Sequence, residues 1–210
     1  MAKPQILDPK CSYTFRSYFE MTYDPEDILA EFGYGLQRSR ISLPQGKRAL
    51  PQLSELEQRI ERTLPVVSLT SETARRETLV APILIEVAAF CNCQLKIEYP
   101  LKVSQWLKGS LDYLLRSDQE FLIIEAKNDD LSRGFTQLAV ELIALTKRQE
   151  SSEALFGAVT IGEVWRFGKI DPHKQMITQD LELFKLPGDL DTLVSVLVGI
   201  MEEKPVVVSH

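Results

Sequence analysis

Hydrophobic residues recur every three or four positions in some parts of the chain, as in helices, and at alternate positions in others, as in strands. The first pattern predicts a helix from Leu53 to Leu64, which Pro65 ends. A second helix is predicted from an N-cap at Ser71 to about Ala89. Pro82 lies inside this second pattern, so the helix must kink or split there.

Residues 1–65 are predicted to form an aromatic-rich, helical N-terminal extension. Residues 13–23 carry many aromatic side chains, and packing against the main domain is the favoured interpretation of them. Asp24 begins an acidic stretch that favours a helix start, because negative charges in the first turn interact well with the helix dipole. Gly33 and Gly35 are predicted to stop that helix.

The remaining elements predict an α/β fold for residues 66–204, followed by a flexible tail at 205–210. In chain order they are strands at 94–103, 108–115 and 120–127, a helix at 132–149, strands at 155–161 and 164–170, a last strand around 181–186, and a C-terminal helix from about 190 to 203. The order of helix, three strands, helix and two strands predicts a mixed central sheet flanked by helices.

Composition limits the function classes. The chain has 210 residues, 44% of them apolar, and a formal net charge of −6, so it can bury one sizeable core. An acidic chain lacks the global basic surface of a strong standing DNA-binding protein. A local basic groove and a bound metal ion can still act on nucleic acid inside such a protein.

Cysteine and histidine are too few for several other chemistries. Three cysteines and two histidines provide neither a disulfide framework nor a complete zinc site. A Ser-His-Asp or Cys-His mechanism would have to depend on His173, which lies in a turn-like segment, and we set it aside. Without an apolar N-terminal core or a long apolar span, the sequence predicts a cytoplasmic protein with no membrane association.

The most informative segment places charged residues at the ends of two consecutive apolar runs. Asp112 lies in the first run, and Glu125 and Lys127 end the second. The polar residues 116–120 between the runs are short enough for a hairpin turn. Since alternate side chains of a strand share a face, Glu125 and Lys127 should project together, and antiparallel pairing should bring Asp112 close to them.

Two carboxylates and one ammonium at one place suit a hard divalent cation. Mg²⁺ or Mn²⁺ takes oxygen ligands and commonly uses only one or two carboxylates. The carbonyl of Ala126, in the plane of the strand, is a further candidate ligand. The competing interpretation is a solvated hairpin with an ordinary Glu–Lys pair, but charges at the end of so apolar a run need a specific reason.

These residues resemble the PD-(D/E)xK nuclease superfamily, and among its members the nuclease part of type I restriction subunits. The resemblance covers roughly residues 70–170 and implies a restriction-endonuclease-like core. It also implies Mg²⁺- or Mn²⁺-dependent cleavage of DNA, with Asp112 and Glu125 holding the metal and Lys127 serving catalysis.

Two further segments extend the resemblance. Glu72, on the first long helix, matches a glutamate that completes the metal site or supports it, although Glu77 and Glu86 compete for this role. Gln137 matches a glutamine that faces the site from the helix after the Glu-x-Lys triplet. The alternatives are that Glu72 is an ordinary surface acid at a helix start and that Gln137 is an ordinary surface polar residue.

Other interpretations remain open at this stage. Leu111 stands where the superfamily usually has proline before the first Asp, and no phosphate-binding loop of a helicase motor is present. A non-cleaving subunit that binds DNA or a protein partner is the main alternative to a nuclease, and an accidental motif is the third interpretation.

The expected partners are a second copy of the chain, in a homodimer, and restriction or mobile-element partner subunits. Candidate phosphate contacts are Arg75, Arg76, Lys102, Lys108, Lys147, Arg148 and Lys169.

Overall fold

The computed structural model describes residues 5–117, 121–127, 130–150 and 152–202. The helices are α1 (Phe15–Glu20), α2 (Pro25–Ala30), α3 (Leu53–Thr63), α4 (Glu72–Arg75), α5 (Ala81–Phe90), α6 (Leu131–Gln149) and α7 (Leu190–Glu202), with a π-helical turn at Arg76–Val80. The strands are β1 (Gly35–Ser39), β2 (Gln94–Lys102), β3 (Lys108–Arg116), β4 (Phe121–Ala126), β5 (Leu155–Thr160), β6 (Val164–Asp171), β7 (Met176–Asp180) and β8 (Phe184–Lys185).

Within the described residues, eight strands form one sheet. Its order is β1-β7-β6-β5-β4-β3-β2, and β8 pairs with β6. β1 runs parallel to β7 and β4 runs parallel to β5, whereas the other neighbouring strands are antiparallel. The predicted mixed sheet with flanking helices is therefore confirmed.

Helices cover both faces of the sheet, and each face has its own hydrophobic core. Side chains of α1, α2 and α6 pack on one side, which we call the α6 face. Side chains of α3, α5 and α7 pack on the other side, which we call the α7 face. Strand residues alternate between the two cores: Ala158 of β5 belongs to the α7 face and Val159 to the α6 face.

The proline inside the second helical pattern divides it, as expected. Ser71 caps α4 by accepting a hydrogen bond from the backbone N–H of Ala74 at 3.1 Å. A π-helical turn then separates α4 from α5, and Pro82 occupies the first turn of α5, the part of a helix that best accommodates proline. The wider hydrogen bonding of a π turn is a common way to accommodate such an interruption.

Two strands were not predicted. Residues 35–39 were assigned only as the stop of a helix, but they form β1 and pair in parallel with β7. β1 is short, mostly polar and at the sheet edge, so it lacks hydrophobic alternation. The last strand was predicted around 181–186, but β7 ends at Asp180 and only residues 184–185 of that range form a strand. The apolar Leu181 and Leu183 that suggested it are exposed.

Some predictions lie outside the described residues. These concern residues 118–120 of the predicted β3–β4 turn, the turn at Asn128 and Asp129, and the tail at 205–210. The boundary at residues 65/66 stays a prediction, although β1 and the side chains of α1 and α2 belong to the main sheet and its α6-face core. Among the described helices, none is both long and apolar enough to cross a bilayer.

Candidate active site

Strand pairing brings Asp112 of β3 beside the end of β4. The antiparallel ladder pairs Tyr113 with Ile124, so its next position would pair Asp112 with Glu125. There the Asp112 side chain accepts a hydrogen bond from the backbone N–H of Ala126, with 2.9 Å between Oδ2 and the nitrogen. Asp112 and the Glu125–Lys127 segment therefore meet at one end of the sheet.

The last residues of β4 point in opposite directions, as the strand period requires. Glu125 is 1% exposed and contacts α6, whereas Ala126 packs into the core of the α7 face. Lys127 follows the strand, and its ammonium forms an ion pair with Oε1 of Glu125. The backbone N–H of Lys127 also donates to the carbonyl of Thr160 at 2.7 Å, which fixes this segment against β5.

Helix α6 supplies two polar residues that complete a buried cluster with Glu125. Asp130 caps the helix, its Oδ1 accepting hydrogen bonds from the backbone N–H groups of Ser132 and Arg133. One turn apart on α6, Gln137 and Glu141 face the same way. Nε2 of Gln137 donates to Oε1 of Glu125 at 2.6 Å and to Oε1 of Glu141 at 2.8 Å. We call Glu125, Gln137 and Glu141 the carboxylate cluster.

The carboxylate cluster has spare hydrogen-bonding capacity. Oε2 of Glu125, Oε1 of Gln137 and Oε2 of Glu141 are buried and have no hydrogen-bond partner among the described residues. Buried polar atoms without partners cost free energy, so they are uncommon except at sites with a further ligand or proton. The cluster is therefore incomplete as a purely structural network.

Arg76 lies on the other side of Asp112. Its guanidinium is 3.5 Å from Oδ1 of Asp112 and 2.6 Å from Oε1 of Glu98, and it lies over the ring of Tyr113. Glu98, across from Asp112 on β2, has a φ of +51°, a left-handed conformation that is rare for glutamate. The β2–β3 ladder is interrupted at this pair, so Arg76 bridges two acids where regular pairing fails.

The three helix glutamates differ in their relation to the site. Glu72 begins α4, and its negative charge contributes to a raised pKa of Asp112, so the two carboxylates interact. Glu77 is exposed on the π-helical turn, and Glu86 is half-buried on α5. Of the three, Glu72 is the glutamate whose charge contributes to the raised pKa of Asp112.

Burial dominates the ionisation of the carboxylates. The pKa of Glu125 is raised to about 8, mainly by burial and also by the charge of Asp112, while Lys127 acts to lower it. Burial likewise raises the pKa of Glu141, and the charge of Glu125 adds to the effect. Burial also raises the pKa of Asp112, against the hydrogen bond from Ala126 and the charge of Arg76, which lower it. The site therefore binds protons more strongly than free carboxylates do.

For Lys127, burial acts on the pKa in the opposite direction. Burial lowers the pKa of its ammonium, but the charge and hydrogen bond of Glu125 outweigh burial, and the pKa is raised. The side chain is 11% exposed, and its nitrogen lies 5.1 Å from the ring centre of Phe19 on α1. Lys127 is thus a charged group held between Glu125 and an aromatic ring.

The donor set is compatible with one hard cation, but in this arrangement it is not a closed metal cage. Among the described residues, no group of three or more His, Cys, Asp and Glu side chains is placed to hold a metal ion. Asp112 and Glu125 lie together, and their cationic neighbours are Arg76 and Lys127. The assignments of Glu72 and the Ala126 carbonyl as ligands stay predictions.

Three residues of the site make contacts that were not predicted from the sequence. Arg76 was considered only as a phosphate contact, and Glu141 only as part of a segment that resembles a known helix. Phe19 was assigned to packing. The spacing of Gln137 and Glu141 on one helix face was the available signal for Glu141. Phe19 and Arg76 reach the site through tertiary contacts that local spacing does not encode.

Neither a scan against protein-family models nor a search of curated proteins found a match to this chain. The geometry of the site therefore has to support the functional conclusion by itself.

Proposed function

We propose that the protein is a metal-dependent phosphodiesterase with a restriction-endonuclease-like core, and that it cleaves DNA. The observation that carries the proposal is the meeting of Asp112, Glu125 and Lys127 at one end of β4. Two acids and a lysine buried together are costly for stability, because each charge loses hydration. A function that needs these groups explains why the fold retains them.

The fold is compatible with this proposal. The acids lie on β3 and β4, an antiparallel pair, and β4 then runs parallel to β5 after the α6 crossover. Glu72 lies on α4 and Arg76 on the π-helical turn that leads into α5, all before β2, and the helix after β4 carries Gln137. This order is the one implied by the resemblance of residues 70–170 to PD-(D/E)xK nucleases.

A magnesium or manganese ion fits the donor chemistry of the site. Asp112 and Glu125 would hold it, with the Ala126 carbonyl and Glu72 as further candidates. Oε2 of Glu125 is a buried oxygen with no hydrogen-bond partner in the described part of the chain, so it is available as a ligand atom. When bound, such an ion lowers the pKa of water and polarises a phosphate oxygen.

The residues around the acids have separate roles in the proposal. Gln137 fixes the orientation of Glu125 through its 2.6 Å hydrogen bond. Lys127 presents its ammonium beside Glu125, where it can donate to a phosphate oxygen as negative charge develops. Glu141, with its raised pKa, can retain a proton and so limit the negative charge near Glu125.

Cleavage of DNA in the presence of Mg²⁺ or Mn²⁺ tests the proposal. Wild-type protein should nick supercoiled plasmid or single-stranded DNA, EDTA should abolish the activity, and Lys127→Met should abolish it without loss of folding. Lys174→Met is a matched control, because Lys174 is an exposed lysine paired with Asp171. Activity that persists in Lys127→Met would refute the assigned role and indicate a contaminating nuclease.

A non-cleaving nuclease-fold subunit is the second candidate, and one observation favours it. Lys127 is largely covered, with Phe19 on one side and Glu125 on the other. The net charge of −6 also gives no general attraction for DNA. In that case the protein would bind DNA or a protein partner, and wild type and Lys127→Met would show the same absence of cleavage.

A further inference from the structure

A pocket of about 190 Å³ opens on the α6 face, two strands away from the carboxylate cluster. Its walls come from β1, β6, β7 and the first turns of α6, and they include Arg38, Ser132, Phe135, Arg166, Gln179 and Asp180. A volume of this size holds several water molecules or one tetrahedral anion. The carboxylate cluster does not form part of this lining.

The strand register places the pocket and the candidate active site on the same face of the sheet, on either side of Val159, which is buried beneath the first turns of α6. Glu125 of β4 pairs with Val159 of β5, and Val159 pairs with Arg166 of β6. Cross-strand partners share a face, so the three side chains form one row across the α6 face. With strands about 4.8 Å apart, the backbones at Glu125 and Arg166 are separated by about 10 Å.

Arg166 has a donor that the described protein does not satisfy. Its Nε is buried and has no hydrogen-bond partner among the described residues, and its guanidinium forms no ion pair with any of them. An unpaired buried donor on a charged group is costly, so a ligand that accepts from it would be favoured. Phosphate suits this role, because the arginine fork matches its oxygens.

The other charged residues of the pocket are already engaged. The Arg38 guanidinium donates to Glu26 at 2.8 Å and to Gln179 at 3.2 Å, which holds it at the pocket wall. Asp180 would oppose an anion, but its Oδ1 accepts hydrogen bonds from the backbone N–H groups of Ile41 and Glu182. Those donors offset part of the negative charge of Asp180. Arg166 is left with a hydrogen-bond donor that no described residue accepts from.

We propose that this pocket binds a backbone phosphate of the same DNA strand that is cleaved at Asp112 and Glu125. The inference rests on the proposed function and adds to it a substrate-positioning subsite centred on Arg166. At a rise of about 3.4 Å per nucleotide, the separation of about 10 Å places the subsite about three stacked nucleotides from the acids, or fewer along an unstacked strand. The subsite positions the strand and does not touch the reacting atoms.

Equilibrium binding of fluorescein-labelled DNA, measured by anisotropy over a range of salt concentrations, tests this subsite. Ca²⁺ replaces Mg²⁺ in the buffer as a hard oxygen-binding cation. Arg166→Gln should weaken binding about tenfold and reduce the slope of log K against log salt by about 1. Arg166→Lys should retain the slope but lose part of the affinity, because a lysine keeps the charge without the fork.

Arg59→Gln is the matched control. Arg59 is exposed on α3, which packs on the α7 face, so the same charge is removed far from the pocket. This variant should keep wild-type affinity and slope. Circular dichroism and thermal melting of Arg166→Gln should match wild type, since Nε of Arg166 loses no hydrogen bond to a described residue.

The outcomes separate this inference from the proposed function. Equal affinity and slope for wild type and Arg166→Gln, with wild type still cleaving DNA, would overturn the subsite alone. Arg166-dependent binding without metal-dependent cleavage would support the subsite and overturn the proposed cleavage. A wild-type protein that binds no DNA would overturn both.

Discussion

The side chain of Asp112 on β3 accepts a hydrogen bond from the backbone N–H of Ala126 on β4, at 2.9 Å. This bond lies one position beyond the last Cα pair of the β3–β4 ladder, so the carboxylate continues the strand pairing where the backbone pairing ends. The same acid is the first predicted metal ligand. Its structural and chemical roles can be separated because asparagine retains the acceptor and removes the charge.

Asp112→Asn should abolish activity while preserving the fold. Loss of the charged ligand should lower metal-dependent cleavage by at least about 100-fold. The free energy of unfolding should stay the same or rise, because burial raises the pKa of Asp112 and a neutral side chain suits the position. Plasmid nicking and urea denaturation measure the two effects. An asparagine variant with wild-type cleavage would exclude Asp112 as a required ligand.

Asp112→Ala should be less stable than Asp112→Asn. Alanine leaves the N–H of Ala126 without its acceptor, which costs about 1–3 kcal/mol for a buried donor. The comparison of the two variants by urea denaturation isolates the hydrogen bond from the charge. Equal stabilities would mean that water replaces the carboxylate at no cost.

Stability should fall as pH rises through the range in which the carboxylate cluster ionises. The pKa of Glu125 is about 8 in the folded protein against an ordinary value of 4.5, so the folded state holds more protons than the unfolded state between those values. The unfolding free energy therefore decreases with rising pH across this window, and the contribution of Glu125 is lost above about pH 8.

Glu141→Gln should flatten this pH dependence, because it removes one of the two coupled buried acids and leaves a neutral side chain of similar size. Denaturation at pH 5 and pH 8 should show a smaller difference than in wild type. Glu77→Gln, at an exposed glutamate, serves as the control and should retain the wild-type difference. If Glu141→Gln kept the wild-type difference in unfolding free energy between pH 5 and pH 8, Glu141 would not be one of the groups that bind the extra protons.

Gly134→Ala should disturb Lys127 through a direct steric clash. A Cβ at this position would lie 2.7 Å from Cγ2 of Val159 and 2.9 Å from Cγ of Lys127, both too close. We expect a loss of about 1–3 kcal/mol in unfolding free energy, together with reduced cleavage. Gly188→Ala is the control, because its Cβ would meet only a carbonyl oxygen at 3.9 Å. Comparable melting temperatures for both variants would contradict the close packing of α6 on Lys127.

Phe19 and Lys127 should be energetically coupled. The ammonium lies 5.1 Å from the ring centre, within the range of a cation–π interaction. A double-mutant cycle with Phe19→Leu and Lys127→Met should give a coupling energy of about 0.5–2 kcal/mol in denaturation experiments. The same cycle with Tyr23→Leu, at a residue that is 56% exposed, should give a value near zero. A coupling energy near zero for Phe19 would mean that it packs against Lys127 without a stabilising cation–π interaction.

The sequence was sufficient for most of the central fold. The strands β2 to β6 and helix α6 were predicted within about two residues of their observed ends, because their apolar residues alternate or recur at a clear period. β1 was missed because Gln37 and Arg38, on opposite faces of an edge strand, leave no apolar alternation. β7 was missed for the related reason that polar residues dominate it from Thr178 to Asp180.

The candidate site was predictable only where strand geometry determines it. The approach of Asp112 to Glu125 follows from antiparallel pairing of neighbouring strands, and the opposite orientation of Ala126 follows from alternation. Arg76 and Phe19 belong to helices whose docking depends on the whole core, so no local pattern places them at the site. Arg166 reaches the same row only through two further strand pairings.

The first strand has a consequence for any attempt to shorten the protein. β1 hydrogen-bonds along β7 over residues 35–39, and β7 would otherwise be the last strand on that side. β1 is short and mostly polar, features that discourage pairing with another chain. A version that begins after residue 40 would make β7 the outermost strand, and its amide and carbonyl groups could then pair with separate molecules. The N-terminal segment thus determines which strand occupies the margin of the sheet.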